Sequence, residues 1–278
     1  MTVVVVTLAS ATRMKHVANQ LRFVRQVAPD AGHVVVWLDE TPAPDVPALV
    51  GATTVHVPPG PHGLRLAAGR NRGADAAVGL GATLMVFLDA DCVPGPDLFR
   101  FYEQAALGHP GALLSGPVTY LPEGFVLGSG EGLEGATAPH AARPAPPAGS
   151  TVAAAAADYP LFWPLSFAGA PGPRARLGGF DERYEGYGGE DTDFAFTARS
   201  LDGPLVWVGG APAYHQYPPT SPPPWRHLAD AARHGGPFAA RGGAWPMGGW
   251  LDAFGRAGAA RRTADGGRAL VEGAPVPG

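Results

Sequence analysis

The run Val3-Val4-Val5-Val6-Thr7-Leu8 holds no charge and no alternation of polar with apolar residues, so a strand made from it has to be covered on both faces. That requirement rules out an open sheet with one wet face and selects an α/β architecture with helices on either side. Thr12 to Ala28 carries Val17, Leu21 and Val24 at helical spacing, and His33 to Leu38 is a second buried strand that ends in Asp39-Glu40. Thr53 to Val57 is a third strand, Leu64 to Gly79 reads as a helix, and Thr83 to Leu88 is a fourth apolar strand running into Asp89-Ala90-Asp91. Strand, helix, strand, strand, helix, strand describes a doubly wound, mostly parallel sheet, whose ligands sit at the carboxyl ends of the strands. Two of those ends carry acids.

An apolar content of 46% over 278 residues is enough for one large core. A net charge of -4 leaves no basic footprint, so a nucleic-acid polymer is not an expected partner. Cys92 is the lone cysteine, which excludes an internal disulfide and a cysteine zinc cluster and points to a reducing, cytoplasmic setting. Residues 1–8 are far shorter than the ~20 residues of a membrane span, and no charged region precedes them as in a signal peptide. Leu121 to Ala157 is rich in Gly, Pro and Ala without periodicity and reads as a long loop between the acidic motifs, either an acceptor-side lid or a flexible insertion.

The acids are the chemically suggestive residues. Asp39, ending a strand, suits a hydrogen bond from a base or ribose hydroxyl, though acids also start turns for local reasons. Asp89 and Asp91, spaced i, i+2 on an extended segment, project to one side. Hard oxygen ligands of this kind suit Mg²⁺ or Mn²⁺ on a diphosphate, and a cation relieves their mutual repulsion. Arg70 and Arg72, in Gly69-Arg70-Asn71-Arg72-Gly73, are either phosphate or base contacts or ordinary helix-face cations. Residues 178–194 pack six acids, four aromatics and five glycines ahead of a short helix pattern. A carboxylate pair there, Glu190-Asp191, gains from the positive end of the helix dipole, which favours an ionised Asp191. Asp181 and Glu182 shape the turn, Asp193 supports the helix, and Tyr184 and Tyr187 wall an adjoining site. His215 follows the strand-like run Leu205 to Val208 and is either a structural histidine or, beside a metal site, a ligand.

These motifs, in this order, resemble the family-two glycosyltransferases of the GT-A fold over roughly residues 3–217. The Gly189-Glu190-Asp191 segment also resembles the carboxyl-terminal Gly-Gly-Glu-Asp loop of the β-1,4-galactosyltransferases, with Tyr187 where those enzymes carry a tryptophan. The resemblance implies that Asp39 contacts the nucleotide base and that Arg70 and Arg13 lie in nucleotide-contacting segments. Asp89, the first acid of the Asp-x-Asp motif, lies near ribose and metal, Asp91 ligates the metal, and His215 completes the metal site. Asp191 matches the catalytic base and Glu190 the acid that holds the acceptor.

The function it implies is an inverting, Mn²⁺- or Mg²⁺-dependent hexosyl transfer from a nucleoside-diphosphate sugar, a UDP-sugar, to a hydroxyl of a glycan, lipid-linked or small-molecule acceptor. A lipid-linked acceptor would be reached from the membrane surface. A sugar-nucleotide-forming nucleotidyltransferase and a catalytically silent glycan-binding protein of the same fold are the alternatives. Residues 1–217 are expected to form one domain, with a nucleotide-binding half (1–100) and an acceptor-binding half (101–217). Residues 218–278 are expected to form a helical extension with a frayed tail, in which Trp225 to Ala240 is helix, Trp250 packs, and Trp245 packs or stacks on sugar.

Overall fold

The computed structural model describes residues 1–128, 130–217, 225–242, 248–263 and 268–271. The proline cluster at 218–224 and Trp245 lie outside the described residues, as does the side chain of Trp250.

The opening run forms β1 (Val3–Ala9), and its neighbours explain its composition. It pairs in parallel with β2 (Gly32–Trp37) along one edge, while β3 (Thr53–His56) extends the sheet beyond β2. Val4 and Val6 face a core beneath α2 (Leu66–Gly79), and Val5 faces another beneath α1 (Met14–Val27). A strand covered twice has no wet side for a polar residue. At about 1.5–3 kcal/mol per fully buried valine, the run is a large local driving force for this arrangement. Along the other edge of β1 lies β4 (Leu84–Leu88), parallel and buried throughout. α2 lies directly on β1 and β2 because Gly73 permits it: a Cβ there would stand 2.4 Å from Val6 Cγ1.

The rest of the chain adds β5 (Cys92–Pro94), α3 (Leu98–Gly108), β6 (Leu113–Ser115), β7 (Val118–Tyr120), α4 (Gly130–Gly135) and β8 (Thr151–Ala153). These are followed by β9 (Ser166–Gly169), α5 (Pro171–Leu177), α6 (Glu190–Ser200), β10 (Leu205–Val208) and β11 (Ala213–His215). The large sheet runs β3-β2-β1-β4-β9-β6-β10-β8, with β9 antiparallel to β4 and β6, and β8 antiparallel to β10 at the edge. A small sheet, β5-β11-β7, sits at the carboxyl end of β4.

Leu121 to Ala157 is therefore not the plain loop its composition suggests. It contributes the edge strand β8, and α4, whose Leu133 is buried against Phe23, Val93 and Tyr214. Beyond the sheet come α7 (Leu228–Gly242), α8 (Gly248–Arg256), β12 (Ala260–Arg262) and β13 (Arg268–Leu270). The last two pair as an antiparallel hairpin, so the chain after Gly255 is ordered at least over those segments. Among the described residues, no helix is long and apolar enough to cross a membrane.

Candidate active site

Two strand ends deliver acids to one edge of the sheet. Asp39 follows β2, and its Oδ2 accepts the Ala11 amide at 2.6 Å, which ties it to the turn that leads into α1. Asp89-Ala90-Asp91 follows β4, and its backbone is fixed from below by Gln20 of α1. The Gln20 amide donates to the carbonyls of Asp89 (2.7 Å) and Cys92 (2.8 Å), while its Oε1 accepts the Thr7 hydroxyl of β1 at 2.5 Å. A polar residue on the buried stripe of α1 thus sets the geometry of the acidic turn.

The small sheet brings in the histidine. Antiparallel register places His215 opposite Cys92, one residue past Asp91, and the Gln216 amide donates to the Asp91 carbonyl at 2.7 Å. His215 Nε2 lies 3.4 Å from Asp91 Oδ1, and Arg13 Nη1 lies 3.4 Å from Asp91 Oδ2. Burial lowers the His215 pKa against the pull of Asp91, which leaves a neutral ring fit to donate a lone pair.

Asp89 points elsewhere, to Arg70. The Arg70 guanidinium, 4% exposed, reaches Asp89 Oδ1 at 3.4 Å and Glu190 Oε1 at 2.8 Å, and lies over the Phe180 ring at 5.3 Å. Arg70 is thus the buried link between two acid motifs far apart in the chain, whereas Arg72 is exposed on the outer face of α2. Burial works against the Arg70 charge, but Asp89 and Glu190 outweigh it and raise its pKa.

Asn71 makes the second link. Its side chain exchanges two hydrogen bonds with the Phe180 backbone, at 2.9 and 2.8 Å, and donates to Glu182 Oε1 at 3.0 Å. These bonds hold the Gly178–Glu182 turn against α2. Because Asn71→Ala strands the buried Phe180 amide, it is expected to lower the unfolding free energy in urea by about 1–3 kcal/mol. A loss below about 0.5 kcal/mol, typical of a plain surface change, would show that the turn stands without it.

The acid loop ends at Gly189, where φ is 93° and a Cβ would meet Tyr184 Cε1 at 3.1 Å, so glycine is required in front of α6. Glu190 and Asp191 open the helix. Glu190 is buried on Arg70, and Asp191 Oδ1 accepts the Thr192 amide at 2.7 Å. The helix dipole favours an ionised Asp191, yet it does not decide the outcome. Burial dominates, with the charge of Glu190 adding to it, and the Asp191 carboxyl is pushed up to about 7 despite Thr192 and Arg70. Burial likewise lifts Asp89 to about 6 against the pull of Arg70, with Asp91 and Glu190 adding.

Tyr187 is 42% exposed and stacks on His227 at 3.9 Å, and Tyr120, 45% exposed, lies 4.7 Å from the His215 ring. Tyr184 is 3% exposed and packs on His234, so it belongs to the core and walls no site. Asp181 pairs with Arg183 at 2.6 Å, and Asp193 is buried in the first turn of α6. Gln20, Asn71 and His234 carry much of this geometry and are not singled out by the sequence motifs.

Among the described residues, no three His, Cys, Asp or Glu side chains are grouped to enclose a metal on their own. Asp91 and His215 nevertheless present one oxygen and one neutral nitrogen side by side, and His215 Nδ1 is buried without a hydrogen-bond partner. That donor set fits Mn²⁺ or Mg²⁺, which take few protein ligands and fill the remainder with phosphate oxygens and water.

The mostly parallel sheet flanked by helices matches the GT-A fold of solved glycosyltransferases. No family model matches the chain, and no curated protein matches it in sequence. The similarity is to solved glycosyltransferase structures. The S. aureus TarS 1-349 structure aligns with a TM-score of 0.55 at 13% identity, covering 78% of this chain and 60% of that one. A further S. aureus TarS structure gives 0.58 at 12% identity, with 86% and 39% covered. GalNAc-T7 with UDP, GalNAc and Mn²⁺ gives 0.51 at 16% identity, with 78% and 44% covered. The chain spans less than two thirds of each of these neighbours.

Proposed function

We propose that this chain is an inverting, metal-dependent glycosyltransferase that moves a sugar from a UDP-sugar to a hydroxyl acceptor. The observation that carries the reading is the shared guanidinium of Arg70, which brings Glu190 of the acid loop and Asp89 of the strand-end motif onto one cation. Two acid motifs with separate jobs thereby border one site. GalNAc-T7, of the same fold, is solved with UDP and Mn²⁺, which supports the choice of donor and cation. The proposed transferase domain is residues 1–217, with the helices after 225 as an extension.

In this reading Asp39 and Arg13 would border the nucleotide, Asp91 and His215 would hold the metal, and Asp89, which the sequence motif pairs with Asp91 as a ligand, is turned to Arg70 and would lie near that site. A bound Mn²⁺ or Mg²⁺ supplies charge neutralisation for the leaving diphosphate. Asp191 takes the proton of the acceptor hydroxyl, which attacks the anomeric carbon from the face opposite the leaving group and inverts it. Glu190, held by Arg70, positions the acceptor beside that base. The exposed faces of Tyr187 and Tyr120 flank the acceptor side.

Calorimetry of UDP with Mn²⁺ tests the metal assignment. Asp91→Ala is expected to abolish Mn²⁺-dependent UDP binding, and unchanged affinity would remove Asp91 from the metal site. Thermal-shift screening of nucleoside diphosphates with Mn²⁺ checks the base, since a ligand that binds only the folded state raises its apparent stability.

A further inference from the structure

His234, 2% exposed on α7, meets the acid loop through both ring nitrogens. Its Nδ1 lies 2.5 Å from the Gly188 carbonyl oxygen and its Nε2 2.8 Å from that of Glu185. A carbonyl oxygen only accepts, so the ring is the donor toward this turn. The ring therefore spans the turn from the Gly188 carbonyl to the Glu185 carbonyl, with at least one of the two contacts a donated hydrogen bond. Its Cβ is 3.2 Å from the place a Cβ on Gly189 would take, and the Tyr184 ring stands edge-on to it at 5.1 Å. Neighbouring α7 residues hold the start of the same turn. Arg233 donates to the Glu185 carbonyl at 2.6 Å and to Asp230 Oδ1 at 2.6 Å, and Asp230 Oδ2 accepts the Tyr187 amide at 2.9 Å.

We propose that His234 is a positioning residue for the transfer step. By holding the Gly188 carbonyl it fixes the backbone one residue before Gly189, and with it the start of α6 and the aim of Glu190 and Asp191. Its consequence for turnover rests on the reading given under Proposed function. The nucleotide side has its own backbone ties, from the Ala11 amide to Asp39 and from Gln20 to the Asp89–Cys92 turn.

The test is hydrogen–deuterium exchange on the full chain, comparing the wild type with His234→Ala and His234→Asn. It is paired with UDP–Mn²⁺ calorimetry and turnover of UDP-sugars. His234→Ala is expected to speed exchange within 186–193 and leave β1, β2 and β4 protected. UDP–Mn²⁺ affinity should be unchanged while turnover falls about 10²-fold, the scale of loss that a displacement of about 1 Å at a reacting group produces. His234→Asn, whose amide reaches the Gly188 carbonyl, should recover much of both losses. Unchanged exchange at 186–193 in His234→Ala, or faster exchange spread evenly over the chain, would overturn the proposal. If the alanine variant does not fold, His234→Phe, which keeps a ring but neither nitrogen, decides it, since exchange at 186–193 as slow as in the wild type would overturn the proposal. Absence of UDP–Mn²⁺ binding in the wild type would instead count against the transferase reading, and the exchange result would still decide the clamp.

Discussion

Asp191→Asn is expected to lower turnover by about 10²–10⁴ while UDP and Mn²⁺ still bind, because it removes the group proposed to accept the acceptor proton and leaves the strand-end acids untouched. Full transferase activity in a correctly folded Asp191→Asn chain would end the assignment of Asp191 as base. The pH profile offers a second measurement. A base acts when deprotonated, and burial beside Glu190 places Asp191 at about 7, so turnover should climb as pH rises through about 7 and level off above it. Asp89, raised to about 6, adds a lower step: UDP–Mn²⁺ affinity should strengthen as pH rises through about 6.

The same carboxyl has the opposite effect on stability. The folded-state pKa of Asp191 lies at about 7, above the ~3.9 of an unfolded aspartate. Between those values the folded chain keeps a proton that the unfolded chain releases, so its contribution to stability is full below about pH 4 and lost as pH rises through 7. Asp191→Asn, which mimics the protonated form, should therefore raise the melting temperature more at alkaline than at acid pH. A carboxylate ionised near neutrality is in this way a buried charge that the fold carries at a cost.

The features readable in the sequence are those that burial writes locally. A strand covered on both faces cannot hide its composition, so β1, β2 and β4 and the acids that follow β2 and β4 stand out from periodicity alone. β8 leaves no such trace. Thr151, Val152 and Ala153 are all exposed, and they join the sheet through backbone bonds at its edge, which impose no apolar pattern. Tyr184 and Tyr187 look alike in a glycine-rich turn, yet Tyr184 is buried against His234 of α7 while Tyr187, stacked on His227, keeps 42% of its surface exposed. Gln20 does leave a signal, a polar residue between Val17, Leu21 and Val24 on the buried stripe. Asn71 and His234 leave none. Their partners are Phe180, Glu185 and Gly188, and no local rule links residues so far apart in the chain.

Arg70→Met should be the most destabilising single substitution at the site. Glu190, 5% exposed, and the part-buried Asp89 would lose their shared cation together, and breaking a buried pair by removing one partner costs about 3–5 kcal/mol. Arg70→Lys should rescue little, since one ammonium cannot fork toward two carboxylates held on separate loops. Denaturant unfolding measures the loss, and a double-mutant cycle identifies its source. With Glu190→Gln in the background there is one less carboxylate to strand, so the cost of Arg70→Met should shrink. A cost as large in the Glu190→Gln background as in the wild type would mean that the guanidinium matters through its packing on Phe180. In that case the two acid motifs would be held together by the aromatic core, and the charge on Arg70 would serve the substrate alone.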